Sequence, residues 1–320
     1  MNLRGKKENT EFANPEDWQE FTKYLRETNR LILSDYWHQF IGTIIKTSHE
    51  RSKRLKKGVT LLRARIGASW IEFEDGDEQP CPISPHEMGP PPKHLAKAGR
   101  LNSEGIPYLY LATNIETAVS EVRPWITSEL SIGFFKVLSD LRIVDTSNDK
   151  PKNSLYLYEF VNADQQALDI RKRPTKSYTS REKEEYVWGD INSAFSKPVS
   201  PSDSPMKYLP TQYLSERLKM EGYDGIAYKS SLSQDGYNIA LFDSLKTKCV
   251  SCRMFEVKQV KCEYEESGNP VSLSSDDKVL YQRVKIIGPS NTEKQVTETG
   301  RNGKSHNERV QPIADKSGSG

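Results

Sequence analysis

The chain has 320 residues, of which 35% are hydrophobic and 28% charged, and its formal net charge is +2. A balance this near neutral gives no strong signal for nucleic acid or for an anionic membrane. No apolar run approaches the about 18 residues a membrane-spanning helix needs. The N-terminal MNLRGKKENTEF is charged without an apolar core behind it, so no secretory signal is expected and the predicted location is cytoplasmic. Four cysteines fit reduced thiols.

The first 13 residues are polar. Asn14-Pro15-Glu16-Asp17 then reads as a helix start, with Asn14 as cap, Pro15 first in the helix and acids in the first turn. Trp18, Phe21 and Leu25 share one face. Ser34 is set to cap a second helix whose Trp37, Phe40, Ile41, Ile44 and Ile45 recur at helical spacing. This pair is expected to close near Lys57-Gly58, with the basic run Arg51–Lys57 as its solvated end. His38 and His49 have no metal-like partner at ligand spacing. From Gly58 the period changes to two, and Val59–Ile66 predicts a strand carrying Arg63 and Arg65. An acid-rich loop, Glu72–Glu78, and a stretch with six prolines, Gln79–Pro92, follow; loops of this length are functional or disordered.

Gly99-Arg100-Leu101-Asn102 and Gly105 are turn chemistry. Ile106–Ala112 predicts a strand with Tyr108 and Tyr110 on one face. Thr113-Asn114-Ile115-Glu116 reads as a capping box opening a helix that Pro124 ends, with Glu121 at the edge of its apolar stripe. Further strands are predicted at Ile132–Val137 and Leu141–Val144, and helices at Tyr156–Leu168, Arg181–Ala194 and Thr211–Glu221. Tyr223–Tyr228, Tyr237–Phe242 and Met254–Tyr264 complete the strands. Cys249 and Cys252 form a C-x-x-C with no second pair, so spacing chance is preferred to a zinc site. Val279–Ile287 can add a strand. From about Gly288 the chain is low in apolar residues and is expected to be disordered.

No Walker A loop, dinucleotide glycine fingerprint, G-x-S-x-G or H-E-x-x-H occurs. What remains is a set of polar residues at strand ends. Arg100 can grip a phosphate with two parallel hydrogen bonds, or be an ordinary turn arginine. Tyr110 can stack on a flat heterocycle, or be half-buried core. Glu121 can stabilise developing positive charge on a sugar, or be a solvated helix carboxylate. Ser230 or Ser231 can bind a ribose or phosphate oxygen, or make a turn.

As a set these residues resemble the RES family, named for its Arg, Glu and Ser. The resemblance spans about Gly58–Tyr264. It rests on Leu62-Arg63-Ala64-Arg65, on Ala98–Pro107 (AGRLNSEGIP), on Tyr108–Ala112 followed by Thr117–Glu121, and on Tyr223–Ser230 with Asn238–Phe242. Leu101 stands where that family commonly has an aromatic residue, and Lys229 where it commonly has proline. The family's members are NAD-degrading toxins of bacterial toxin–antitoxin pairs with a fold similar to ADP-ribosyltransferases.

The resemblance implies an α+β fold: a mixed, mostly antiparallel split sheet with flanking helices, here preceded by an N-terminal helical region. The implied layout is residues 1–57 as that region, 58–265 as the catalytic domain and 266–320 as a polar tail. The implied activity is cleavage of the nicotinamide–ribose bond of NAD, by water or inorganic phosphate. Transfer of ADP-ribose to a macromolecule and a catalytically silent binding module are the alternatives. Arg100, Glu121 and Ser230 are the implied catalytic set. Arg63, Tyr110, Asn102 and Ser231 are the implied NAD contacts, and no metal is required. An NAD-consuming enzyme in a cytoplasm needs restraint, so an inhibitory protein partner or self-association is expected.

Overall fold

The computed structural model describes residues 11–147, 178–197, 205–233, 235–261, 271–273, 275, 279–284 and 296–299. Chain contacts divide it into two units, Met1–Val260 and Lys261–Gly320. The described part of the second unit is a three-stranded antiparallel sheet of Val271–Leu273, Val279–Val284 and Val296–Thr299. Strand Val279–Val284 agrees with expectation. The helix predicted over Tyr156–Leu168 lies outside the described residues, as does Cys262.

The first unit is built on an eight-stranded sheet with helices α1 to α5 on one face. Helices α1 (Asp17–Glu27) and α2 (Asp35–Ser48) form the expected N-terminal pair. The start of α1 differs from prediction: Glu16 occupies the cap, and Asn14 instead donates its backbone N–H to Asp17 Oδ2. The basic run is not a helix end. Ser52–Leu55 is strand β1, which pairs antiparallel with β7 (Leu141–Asp145) at one edge of the sheet. Leu55 is buried while Arg54 faces out, and a short lysine- and arginine-bearing strand suits an edge that must resist further pairing.

Strand β2 (Thr60–Ile66) follows the expected alternation, and β3 (Ser69–Glu72) and β4 (Glu78–Cys81) fold the acid-rich stretch into a separate hairpin. Strands β5 (Leu109–Ala112), β6 (Glu129–Val137), β8 (Gly225–Lys229) and β9 (Tyr237–Leu241) lie where predicted within a few residues. The last strand, β10, is Thr247–Glu256, earlier than the sequence suggested. A bulge between Cys249 and Ser251 carries both C-x-x-C cysteines to one side of it. The order is β1-β7-β8-β9-β5-β2-β6-β10, and only β7 and β8 run parallel.

Strands β2 and β5 share a single paired position, Leu62 with Ala112. The sheet is therefore split into a β1-β7-β8-β9-β5 half and a β2-β6-β10 half. Leu62, Ala64, Ala112 and Ile132 pack against Ala118 of helix α3 (Ile115–Val122). On the same face, Val144, Ile226, Tyr228 and Ala240 pack with α4 (Ser180–Ser196) and α5 (Leu209–Met220). The opposite face holds Leu61, Leu109, Phe135, Ile143, Ile239 and the buried Met88 of the Pro-rich stretch.

Helices α1 and α2 join the α4–α5 core. Trp18, Phe21, Leu25, Trp37 and Phe40 belong to the same apolar cluster as Trp188, Phe195, Leu214 and Tyr228. Phe21 is fully buried, with its ring 5.7 Å from that of Tyr213. Replacing Phe21 by Ala is expected to cost about 3–5 kcal/mol, read as a lowered midpoint in urea unfolding of the whole chain.

Candidate functional site

Helix α3 is fixed in place by the turn that joins β8 to β9. Asn114 caps it, accepting from Thr117 N at 2.8 Å, so the cap falls one residue later than the predicted box at Thr113. The Asn114 amide also donates to Asp235 O at 3.2 Å, and Tyr237 N donates to Thr113 Oγ1 at 3.0 Å. Between these contacts the chain passes so close to α3 that a Cβ on Gly236 would lie 1.5 Å from Thr117 Oγ1. The helix ends at Arg123, which adopts a left-handed φ of 47° before Pro124. Glu121, one turn after the buried Thr117, is thereby held over the ends of β8 and β9.

Two buried donors meet one oxygen of this exposed carboxylate. Asn238 Nδ2 donates to Glu121 Oε1 at 2.6 Å and Ser230 Oγ donates to the same atom at 3.2 Å. Ser230 Oγ also accepts from Leu232 N at 3.2 Å, and Ser230 N donates to Gly236 O at 2.9 Å. The serine hydroxyl is engaged with the carboxylate and the turn. Ser231 points elsewhere, donating to Ser196 O at 2.7 Å.

Arg100 reaches the neighbouring ground from the turn before β5. Its Nη1 donates to the backbone oxygen of Phe195 at the end of α4, and its guanidinium carbon lies 5.7 Å from the centre of the Tyr228 ring. Its Nε is buried with no hydrogen-bond partner among the described residues. An arginine nitrogen left in that state costs stability unless a ligand satisfies it. The turn itself is pinned by α5: Thr211 Oγ1 donates to Arg100 O at 2.6 Å, and Gln212 Nε2 donates to Gly99 O at 2.8 Å and Asn102 O at 2.9 Å.

Tyr110 is locked into the same turn. Its hydroxyl donates to Asn102 Oδ1 at 2.7 Å and accepts from Leu101 N at 3.2 Å. Asn102 uses its own amide on Lys97 O and Ser103 O, at 3.0 and 3.2 Å, so it shapes the turn that holds Tyr110. Gly99 is required there, because a Cβ would lie 2.4 Å from Asn102 Oδ1. Burial pushes the Tyr110 phenol well above its ordinary range, with nearby Tyr228 adding to the shift and the Leu101 N–H and Arg100 opposing it. The Tyr228 phenol is likewise raised by burial; Arg100 opposes the rise and Glu121 adds to it.

Arg63 occupies a different position. In β2 it alternates with Leu62 and Ala64, which face α3, and so it sits on the side of Leu61. Its Nη1 is buried without a partner among the described residues. Burial first, then Arg65, pulls its guanidinium down to about 10, against a smaller opposing effect of Tyr110. No described hydrogen bond joins it to Arg100 or Glu121.

Arg100, Tyr110, Glu121 and Ser230 thus surround one region, with Asn102 behind Tyr110. Ser231 is turned to Ser196, and Arg63 is near enough for Tyr110 to act on its guanidinium but shares no described hydrogen bond with Arg100 or Glu121. Tyr228 and Asn238 were not singled out from sequence. They are opposite one another in the β8–β9 pairing, so a strand register through Ser230 would have found both. Elsewhere, Cys249 and Cys252 are free thiols with sulfurs 3.7 Å apart, and burial followed by Cys249 raises the Cys252 thiol to about 12. Among the described residues no group of three or more His, Cys, Asp or Glu side chains is arranged for a metal, and no helix is long and apolar enough to cross a membrane.

The region thus brings together a carboxylate held by neutral donors, a half-buried arginine and two phenols. The chain belongs to the RES domain family, whose model matches residues 82–264, more than half of it. That span contains Arg100, Tyr110, Glu121, Ser230 and Asn238, and it begins after β2 and Arg63. No curated protein sequence matches the chain. Among solved structures it has a weak likeness to the M. tuberculosis MbcT–MbcA toxin–antitoxin complex. The identity is 11% and the TM-score 0.34, over 67% of this chain and 92% of that one.

Two outcomes follow from this geometry. Gly236→Ala forces α3 off the β8–β9 turn and is expected to destabilise the protein by about 1–3 kcal/mol, measured by chemical denaturation. Tyr110 and Tyr228 also make stability fall in alkali. Their folded phenols ionise above the unfolded value of about 10. The stability is therefore complete below about pH 10 and is lost as pH rises towards their folded values. Tyr228→Phe is expected to flatten that decline in unfolding curves recorded across pH 9 to 12.

Proposed function

We propose that this protein cleaves the nicotinamide–ribose bond of NAD and passes the ADP-ribosyl group to water or inorganic phosphate. The observation that supports this most directly is the pairing of Glu121, whose Oε1 takes both Ser230 and Asn238, with Arg100, whose Nε is buried and without a described partner. Membership of the RES family supports NAD as the substrate class.

Departure of nicotinamide leaves positive charge shared between the ribose C1′ and its ring oxygen. A carboxylate fixed before the reaction stabilises that charge at no cost of reorganisation during it. Glu121 is fixed in this way by uncharged donors, so its negative charge is not cancelled by a neighbouring cation. Arg100 binds the pyrophosphate, whose oxygens would satisfy its buried Nε. Tyr110 forms an aromatic wall beside the sugar and base, backed by the buried Tyr228, and both phenols are protonated at neutral pH. The nucleophile adds its oxygen to C1′ as the C–N bond breaks. The nicotinamide leaves as a neutral base with the bonding electron pair, and the nucleophile's proton passes to solvent when water attacks.

The RES family context also supports restraint of this activity by a protein partner. Purified protein incubated with NAD is expected to release nicotinamide, with ADP-ribose formed in plain buffer or ADP-ribose 1″-phosphate formed when phosphate is present. Mass analysis separates these from a labelled protein, the product of transfer to a macromolecule. Glu121→Gln and Arg100→Ala are each expected to lower turnover by about 10²–10³-fold in folded protein. Unchanged turnover in either variant removes that residue from the mechanism, and intact NAD with the native protein removes the reaction.

A further inference from the structure

We infer that Asn238 is a positioning residue that fixes one oxygen of Glu121 so that the other is presented to the substrate. The inference rests on the NAD-cleaving function proposed above, and its structural half can be tested without it.

The two oxygens of Glu121 are not equivalent. Oε1 accepts from Asn238 Nδ2 at 2.6 Å and from Ser230 Oγ at 3.2 Å, whereas no described residue donates to Oε2. Both donors are firmly seated. Asn238 is 5% exposed and Ser230 4%. Asn238 stands in the middle of the site half of the sheet, paired with Tyr228 on β8 and with Ala112 on β5. Its backbone is therefore held on both sides while its amide reaches Glu121. The donor direction of Ser230 is settled locally, because Leu232 N–H occupies a lone pair of its hydroxyl at 3.2 Å. The O–H is left to point at Oε1.

The chemistry of the donors matters as much as their position. A lysine or arginine here would orient the carboxylate but compensate its charge. An amide and a hydroxyl orient it and leave it anionic. A side chain as flexible as glutamate, exposed at the end of a short helix, would otherwise sample several rotamers. Fixing it within about 1 Å of a productive position can be worth about 10²-fold in rate. Asn238 makes the shorter of the two contacts and comes from the more constrained backbone, so it is the principal anchor, with Ser230 as its partner.

The test uses the full chain with Asn238→Leu, Asn238→Ala, Ser230→Ala and the Ser230→Ala/Asn238→Ala double variant. Asn238→Leu approximates the shape of the amide and carries neither donor nor charge, so it carries the test if Asn238→Ala does not fold. Two readouts are needed: kcat and KM for NAD, and crystal structures of the resting native and variant proteins. The expected result is a fall in kcat of about 10²-fold for Asn238→Leu and Asn238→Ala, with KM within about twofold, as for a residue that touches no substrate. The double variant is expected to lose much less than the product of the single losses, since both donors serve one atom. In the crystals, Glu121 is expected to leave its native rotamer when Asn238 is changed. Native kcat in Asn238→Leu, or an unmoved Glu121 carboxylate in either Asn238 variant, overturns the inference. Failure of the native protein to consume NAD ends the functional proposal instead, and the crystal structures still decide whether Asn238 holds Glu121.

Discussion

The architecture turns on one weak seam. Strands β2 and β5 are neighbours in a continuous sheet, yet they pair only at Leu62 and Ala112 and then part. Each half keeps its own helical cover on the same face. Helix α3 lies over Leu62, Ala64 and Ile132, while α4 and α5 lie over Ile226, Tyr228 and Ala240. Two covers on a splayed sheet cannot merge into one layer, and polar side chains occupy the ground where they part. Glu121 comes from one cover and Arg100 is tethered to the other through Phe195 and Thr211. The site is a product of the seam.

Within it, hydrogen bonds to uncharged groups outnumber ion pairs. Glu121 is held by an amide and a hydroxyl, and Tyr110 by an amide and a backbone N–H. Such bonds depend on angle more than attractions between exposed charges do, and they are less weakened by salt. They also leave the charges of Glu121 and Arg100 unpaired with each other.

Much of this was legible in the sequence where local rules act alone. The turn at Gly99–Asn102, the Tyr108–Tyr110 alternation and the position of Glu121 on α3 follow from turn chemistry and periodicity. Other features depend on tertiary pairing, which a local signal does not carry. Arg51–Lys57 has the composition of a solvated helix end, but Leu55 has a place in the core and the segment pairs with β7. Arg63 shared a strand-like pattern with the site residues, yet alternation sends it to the other face. Ser231 and Ser230 are indistinguishable by composition, and only the register of β8 against β9 separates them. Asn238 opens a segment that carries the family resemblance, but its contact with Glu121 is made 117 positions away along the chain and has no local signal.

The placement of β2 bears on what counts as a unit of this protein. The span matched by the RES family begins at residue 82, but β2 lies between β5 and β6 in the middle of the sheet, and α1 and α2 fill one core with α4 and α5. A fragment trimmed to the family boundary would have a missing central strand, two unpaired inner edges and a stripped aromatic surface around Phe195 and Tyr213. The residues of the candidate site would be present in its sequence without the sheet that brings them together. Inheritance of the motif and integrity of the folding unit are drawn along different lines in this chain, and the N-terminal helices belong to the second.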